Sequence, residues 1–313
     1  MIKRRIKLIK ALFYDAGRIE YFCADLTPYF IGVILGFAVS GIDIINPYVL
    51  KLFLEGLLLI VLAHFAAVYS NVYSDYELDK RFKPKLPAAA DIIGLSQLKL
   101  IFSIITLIGT IVAIDISYTL VKVELFIFWI IGVGLAHIYT LEPIRLKKYP
   151  FIGDIARGIP IIIPMLFGFY MFSDNDNGVL LYNFIGIFVN LMGLFLIGEV
   201  WDWKDDKGFV CTIAVVFGYK KALLYGLILI SCGIAVWTIG NCLIYPLKVI
   251  YLYSIVGIFL LSCFILYSIM NIYKHRFDYN KIEYKCGMIT KIGTSLIWLY
   301  QLIGAIIILM HVQ

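Results

Sequence analysis

Asn71-Val72-Tyr73-Ser74-Asp75-Tyr76-Glu77-Leu78-Asp79 follows a long apolar run, Leu52 to Tyr69. Asn71, Asp75 and Asp79 are spaced four apart. At 3.6 residues per turn they share one helix face, drifting roughly 40° and climbing about 6 Å per step. The result is a ladder of oxygen donors at the mouth of an apolar helix. Carboxylates there are costly unless something pairs with them. Oxygen-only ligands suit magnesium, which prefers one or two carboxylates plus substrate phosphates. The ladder is therefore expected to hold a magnesium diphosphate. A solvated helix end is the plain alternative for the same stretch, and a second acidic cluster weighs against it.

The surroundings are those of a membrane. Of 313 residues, 62% are hydrophobic and 15% charged, against roughly 25% charged in soluble domains. Mean hydropathy is +0.93. Apolar runs of about 20 residues read as membrane-crossing helices. There are nine: Tyr21–Ser40, Val49–Ser70, Leu98–Ile116, Val123–Thr140, Phe151–Phe172, Val179–Trp201, Ala222–Ile239, Val249–Tyr273 and Met288–His311. The expected fold is an all-α integral membrane protein: nine transmembrane helices in one bundle around a central apolar cavity, a single domain over residues 1–313. The basic start, Met1 to Lys7, reads as an anchor flank rather than a signal peptide. None of the six cysteines forms a C-x-x-C pair, so buried thiols are expected.

Lysine and arginine placement sets orientation. With the N terminus inside, the cytoplasmic loops hold Lys80, Arg81, Lys83, Lys85, Arg145, Lys147, Lys148, Lys204, Lys207, Lys220, Lys221, Lys274, Arg276, Lys281 and Lys285. The opposite side holds only Lys51, Lys122 and Lys248, and the loop Ser173–Gly178 has no basic residue. The reading is N-in, C-out, a multi-pass protein of the cell membrane. The net charge of +6 follows from this topology and calls for no nucleic acid. The two acidic clusters end the second and sixth spans, four apart in order, which suggests parallel repeats over about 21–140 and 151–273, plus a ninth helix.

The second cluster is Glu199, Asp202 and Asp206, spaced three and four apart on one face of the sixth span. Two facing ladders could bind two magnesium ions, one on each side of a diphosphate, neutralising it as a leaving group. Asp205 points elsewhere. Diphosphate also wants cations. The segment Tyr139 to Lys148 supplies Arg145, a bidentate fork, and Lys147, a mobile point charge. Lys83 and Lys85 follow the first ladder closely, although basic loops are demanded by topology alone. A diphosphate head at the cytoplasmic mouth with an apolar tail inside describes an isoprenyl diphosphate. Aromatic faces could steady an allylic cation. Asp154 and Arg157, one turn apart, read as a mutual pair or as cavity lining.

These motifs resemble the UbiA superfamily of intramembrane prenyltransferases. Its N-D-x-x-D-x-x-x-D motif stands here as Asn71, Val72, Asp75, Asp79, with the second carboxylate lost. Its later D-x-x-x-D is Asp202 and Asp206, and its Y-S-x-P-P-x-R-x-K segment resembles Tyr139, Thr140, Pro143, Arg145 and Lys147. Leu86-Pro87 stands where R-P is usual, and Leu194 and Gly198 replace a Y-x-x-x-K pattern of some members.

The resemblance implies magnesium-dependent prenyl transfer from a diphosphate to a lipophilic or aromatic acceptor. Asp75, Asp79, Asp202 and Asp206 would be the catalytic metal carriers, with Asn71 and Glu199 supporting the metals. Asn71, Tyr139, Arg145, Lys147, Lys83 and Lys85 would hold the diphosphate. A UbiA-type terpene cyclase needing no acceptor is the second reading. A cation-coupled transporter is remote, because the acidic residues sit at the membrane edge beside a phosphate-binding basic set rather than at broken helices near the midplane.

Overall fold

The computed structural model describes residues 2–42, 46–174, 178–208, 210–245, 248–274 and 278–312. Arg276 and the loop residues 175–177 lie outside these, as do the side chains of Lys3, Arg4, Asp205 and Lys281. Among the described residues the regular structure is all helical, joined by short loops. Helix α1 (Ile2–Ile9) runs on as a wider π-type turn, Lys10–Ala16. Then come α2 (Ile19–Ser40), α3 (Pro47–Phe82), α4 (Lys85–Ile93), α5 (Leu95–Leu120) and α6 (Val123–Thr140). The second half has α7 (Ile152–Phe172), α8 (Val179–Asp206), the short α9 (Ile213–Phe217), α10 (Tyr219–Ile244), α11 (Lys248–Lys274) and α12 (Tyr279–Val312).

Among the described residues, eight helices are long and apolar enough to cross a membrane. The apolar stretch of α2, Asp25–Ser40, is shorter. The expected split near residue 120 is present: Val121 adopts φ 56° between α5 and α6.

Several helices outrun the spans read from sequence, and in α3 and α8 the excess positions the site. α3 has 36 residues, about 54 Å at 1.5 Å per residue, well beyond a hydrocarbon core of roughly 30 Å. It starts at a proline behind Asn46, whose side chain accepts from the Tyr48 N–H at 2.9 Å. It carries the whole Asn71–Asp79 ladder without a break and ends at Phe82. Pro84 then disfavours helical geometry at Lys83, which leaves the helix at φ −130°. α8 likewise carries its ladder to its last residue, Asp206. The sequence boundaries at Ser70 and Trp201 mark where the apolar runs stop, not where the helices do.

Small residues let the helices close up. A Cβ on Gly193 of α8 would stand 2.5 Å from the Gly226 carbonyl of α10, and one on Gly226 would stand 2.8 Å from that of Gly193. These helices touch backbone to backbone, the packing that suits helices in lipid. Gly193→Val is expected to force them apart, at about 1–3 kcal/mol, and to lower the thermal unfolding midpoint in detergent. Gly134→Ala, with nothing within 4 Å of the new methyl, should leave it unchanged.

Candidate active site at the ladder end of the bundle

One end of the bundle collects the C-terminal turns of α3 and α8, the loop between α6 and α7, and the start of α2. Lys83 Nζ donates to Asp202 at 3.3 Å, so the two ladders face each other across this lysine. Asp79, buried one turn above Asp75, lies in the electrostatic reach of Asp75, Lys83, Arg18 and Lys147.

The α6–α7 loop delivers the other cations. Ser74 Oγ donates to the Thr140 carbonyl at 2.5 Å, pinning the end of α6 to α3. The chain then turns sharply, with Arg145 at φ 45° and Phe151 at φ 63°. Left-handed backbone at such residues costs on the order of 1–2 kcal/mol. Here it aims two side chains inward. Arg145 Nη2 donates to Asp75 Oδ1 at 2.8 Å, and Lys147 Nζ donates to the same oxygen. Glu142 accepts from Lys148 at 2.8 Å and from Arg145 at 3.2 Å, and these bonds hold its carboxyl below the usual range. Burial pushes the Lys147 ammonium pKa down, and Asp75 opposes that push.

The other expected residues divide. Asn71 is half-buried one turn before Asp75. Tyr139 lies in the electrostatic field of Arg157, Asp154, Asp75 and Glu199, between the first ladder and the base of α7. Lys85 is exposed at the start of α4 and takes part in no ion pair among the described residues. Glu199 is turned toward α9 and α7: Oε2 accepts from the Ala214 N–H at 3.1 Å, and the carboxyl hydrogen-bonds Asp154. The pairing of Asp154 with Arg157 is corrected, since Arg157 instead lies over the Phe195 ring at 4.1 Å.

Sequence reading missed Arg18. It sits in left-handed conformation at φ 45° where the N-terminal segment turns into α2. His64, inside α3, fixes that turn. Its Nδ1 meets Asp25 Oδ2 at 2.6 Å and its Nε2 meets the Gly17 carbonyl at 3.0 Å.

Among the described residues no three of His, Cys, Asp and Glu come together as a metal site by themselves. The available donors are carboxylate oxygens, with Asp75 held by Arg145 and Lys147 and Asp202 by Lys83. That donor set fits magnesium, which takes few protein ligands and completes its shell with phosphate and water.

Several solved structures share this fold. The structure of digeranylgeranylglyceryl phosphate synthase superposes with a TM-score of 0.66 at 20% identity, covering 96% of this chain and 99% of that one. A UbiA homologue from Archaeoglobus fulgidus gives 0.65 at 17% identity, covering 91% and 97%. The same homologue bound to GPP and Mg2+ gives 0.60 at 17%, covering 88% and 97%. No curated protein sequence matches. The model of the UbiA prenyltransferase family matches residues 29–285, and the chain belongs to that family of membrane prenyltransferases.

Proposed function

We propose that the protein transfers a prenyl group from an isoprenyl diphosphate to a lipophilic or aromatic acceptor and releases diphosphate. The observation that carries this reading is the charge arrangement between the ladders. Arg145 and Lys147 are held on Asp75, and Lys83 on Asp202. A metal–diphosphate complex brings the opposite of both partners. Its phosphate oxygens suit the three cations, and its metal ions suit the carboxylates they leave. Asp75 and Asp79 on one side, and Asp202 and Asp206 on the other, would hold two magnesium ions, with Asn71 beside the first pair. Glu199, engaged by α9 and Asp154, falls outside that set. Bound magnesium would neutralise charge developing on the departing diphosphate.

The chain's own residues do the rest. Arg145 and Lys147 orient the leaving group, Tyr139 closes the side toward α7, and the apolar bundle keeps water from the allylic carbon. Lys85 and Arg18 belong to the rim. We read the chain as one domain of nine spans, α2 included, with the N terminus inside. The basic loops gather at the ladder end, which supports a cytoplasmic site in the cell membrane.

The test mixes detergent-purified protein, magnesium and prenyl diphosphates of several lengths, without acceptor and then with a membrane-lipid extract. Diphosphate release and product mass are measured. Acceptor-dependent release that Asp75→Ala and Asp202→Ala abolish supports the transferase. Acceptor-free release of a hydrocarbon would replace it by the cyclase.

A further inference from the structure

Arg157 lies in the second turn of α7, a helix long and apolar enough to cross the membrane. Ile152 and Ile155 are exposed and mark the outward side of that helix. At about 100° per residue, Arg157 stands about 200° from Ile155, on the side turned into the bundle. Arg157 is nonetheless exposed, so its side chain reaches a space open inside the bundle. Its guanidinium lies over the Phe195 ring of α8 at 4.1 Å. Phe195, Glu199, Asp202 and Asp206 are spaced four, three and four apart, which puts them on one stripe of α8. Arg157 therefore stands on the stripe that carries the second ladder. Phe195 is about 10 Å deeper along it than Asp202. Tyr139, which also feels Asp75, lies in the field of Arg157.

Among the described residues the guanidinium makes no ion pair and no hydrogen bond, so its N–H donors face that space unmatched. Glu199, within its electrostatic reach, is turned to Asp154 instead, and the two carboxyls hydrogen-bond. Such a bond requires one proton between them. The negative charge left on the pair is engaged on the far side, where the Ala214 N–H donates to Glu199 Oε2 at 3.1 Å. The cations that suit diphosphate are elsewhere, Arg145 and Lys147 on Asp75 and Lys83 on Asp202. An ionisable side chain inside a membrane bundle marks a substrate path and needs a partner there. A prenyl chain, being hydrocarbon, supplies none, and an allylic carbon turning positive is repelled by an unmatched guanidinium. An anion on the second substrate meets both requirements.

We infer that Arg157 binds an anionic group of the acceptor, a phosphate or carboxylate carried by the lipophilic or aromatic molecule, and so selects charged acceptors over neutral ones. This rests on the prenyl-transfer reading. A guanidinium takes two oxygens of either group in its planar fork. The Phe195 face steadies that plane from one side and leaves its edge open to the anion. The bound anion also cancels the guanidinium charge beside the ionising prenyl group.

The test uses the full chain in detergent and three probes, dodecyl phosphate, dodecanoate and dodecanol, each with a photoreactive diazirine in its chain. Without magnesium or prenyl diphosphate, one of the two anions should label peptides containing Arg157 and Phe195 about tenfold or more above the alcohol at equal concentration. Whichever anion labels more strongly names the group. Arg157→Gln should erase that excess. Arg157→Lys keeps the charge without the fork and should keep part of it, a readout that stands if Arg157→Gln fails to fold. Lys147→Ala, which strips a cation from the ladder end, should leave the excess in place. Equal labelling by all three probes, or an excess that follows Lys147 rather than Arg157, overturns the site. A second arm adds magnesium, prenyl diphosphate and acceptor pairs that differ by the anion, an alkylglycerol phosphate against the alkylglycerol and a phenolic acid against the phenol. Arg157→Gln should raise KM for the anionic acceptor about ten- to a hundredfold while KM for prenyl diphosphate stays in place. Equal rises in both assign Arg157 to the diphosphate and overturn the proposal. Release supported as well by the neutral members overturns it while leaving prenyl transfer standing. Labelling at Arg157 with no release from any diphosphate and acceptor overturns the transfer reading, and the acceptor role with it.

Discussion

Asp75→Asn and Asp202→Asn should each cut magnesium-dependent diphosphate release by about a thousandfold or more, the loss of roughly 4 kcal/mol of transition-state stabilisation, yet they should differ in stability. Asp75 accepts from two cations, and the three side chains are 12%, 18% and 9% exposed. Removing its charge leaves Arg145 and Lys147 together and largely desolvated, a loss of about 3 kcal/mol or more. Asp202 and Lys83 are 37% and 47% exposed, so water screens them and the pair contributes less than about 1 kcal/mol. Thermal unfolding in detergent should show a clear drop for Asp75→Asn and almost none for Asp202→Asn. Because the ladders act on one leaving group, the double variant should release diphosphate no more slowly than the worse single one. Release retained in Asp202→Asn would remove the second ladder from the chemistry. Unchanged stability in Asp75→Asn would mean that its two ion pairs are not held in solution.

The ladders were legible because a period of four is a helix property that needs no tertiary information. So was the membrane bundle, since 20-residue apolar runs have few other uses. Helix length beyond the membrane was not, because hydropathy reports where lipid ends and says nothing of a helix continuing into water. Arg145 and Lys147 could be named from their spacing, whereas their convergence on one oxygen of Asp75 depends on a left-handed turn at Arg145 that no propensity favours. Arg18 escaped for the same reason. Asp79, in whose electrostatic reach it lies, is far along the chain, and the turn that carries Arg18 is fixed by the His64 contacts with Gly17 and Asp25. Asp154 and Arg157 show the converse failure. Spacing one turn apart permits a pair, but Glu199 and the Phe195 ring offered each of them another partner.

Arg145 and Lys147 then give the second large effect. Each contributes a charge-assisted hydrogen bond to an anion, on the order of 1.5–3 kcal/mol. Arg145→Ala and Lys147→Ala should therefore each lower kcat/KM for prenyl diphosphate by about ten- to a hundredfold. Arg145→Lys should recover little, since a point charge cannot reproduce a planar fork held at fixed backbone angles. Lys147 adds a pH signature. Burial lowers its pKa in the folded chain, so between the folded and unfolded values the unfolded chain binds more protons. In that alkaline window Lys147's own contribution to stability improves as pH rises, because the cost of burying its charge is relieved. Over the same window kcat/KM, which reports the free enzyme, should fall as the amine loses the charge that attracts diphosphate. Lys147→Arg keeps its charge at every accessible pH and should carry activity further into the alkaline range. If wild type and Lys147→Arg lose kcat/KM at the same pH, the fall belongs to another group, and Lys147 does not hold the diphosphate by its charge.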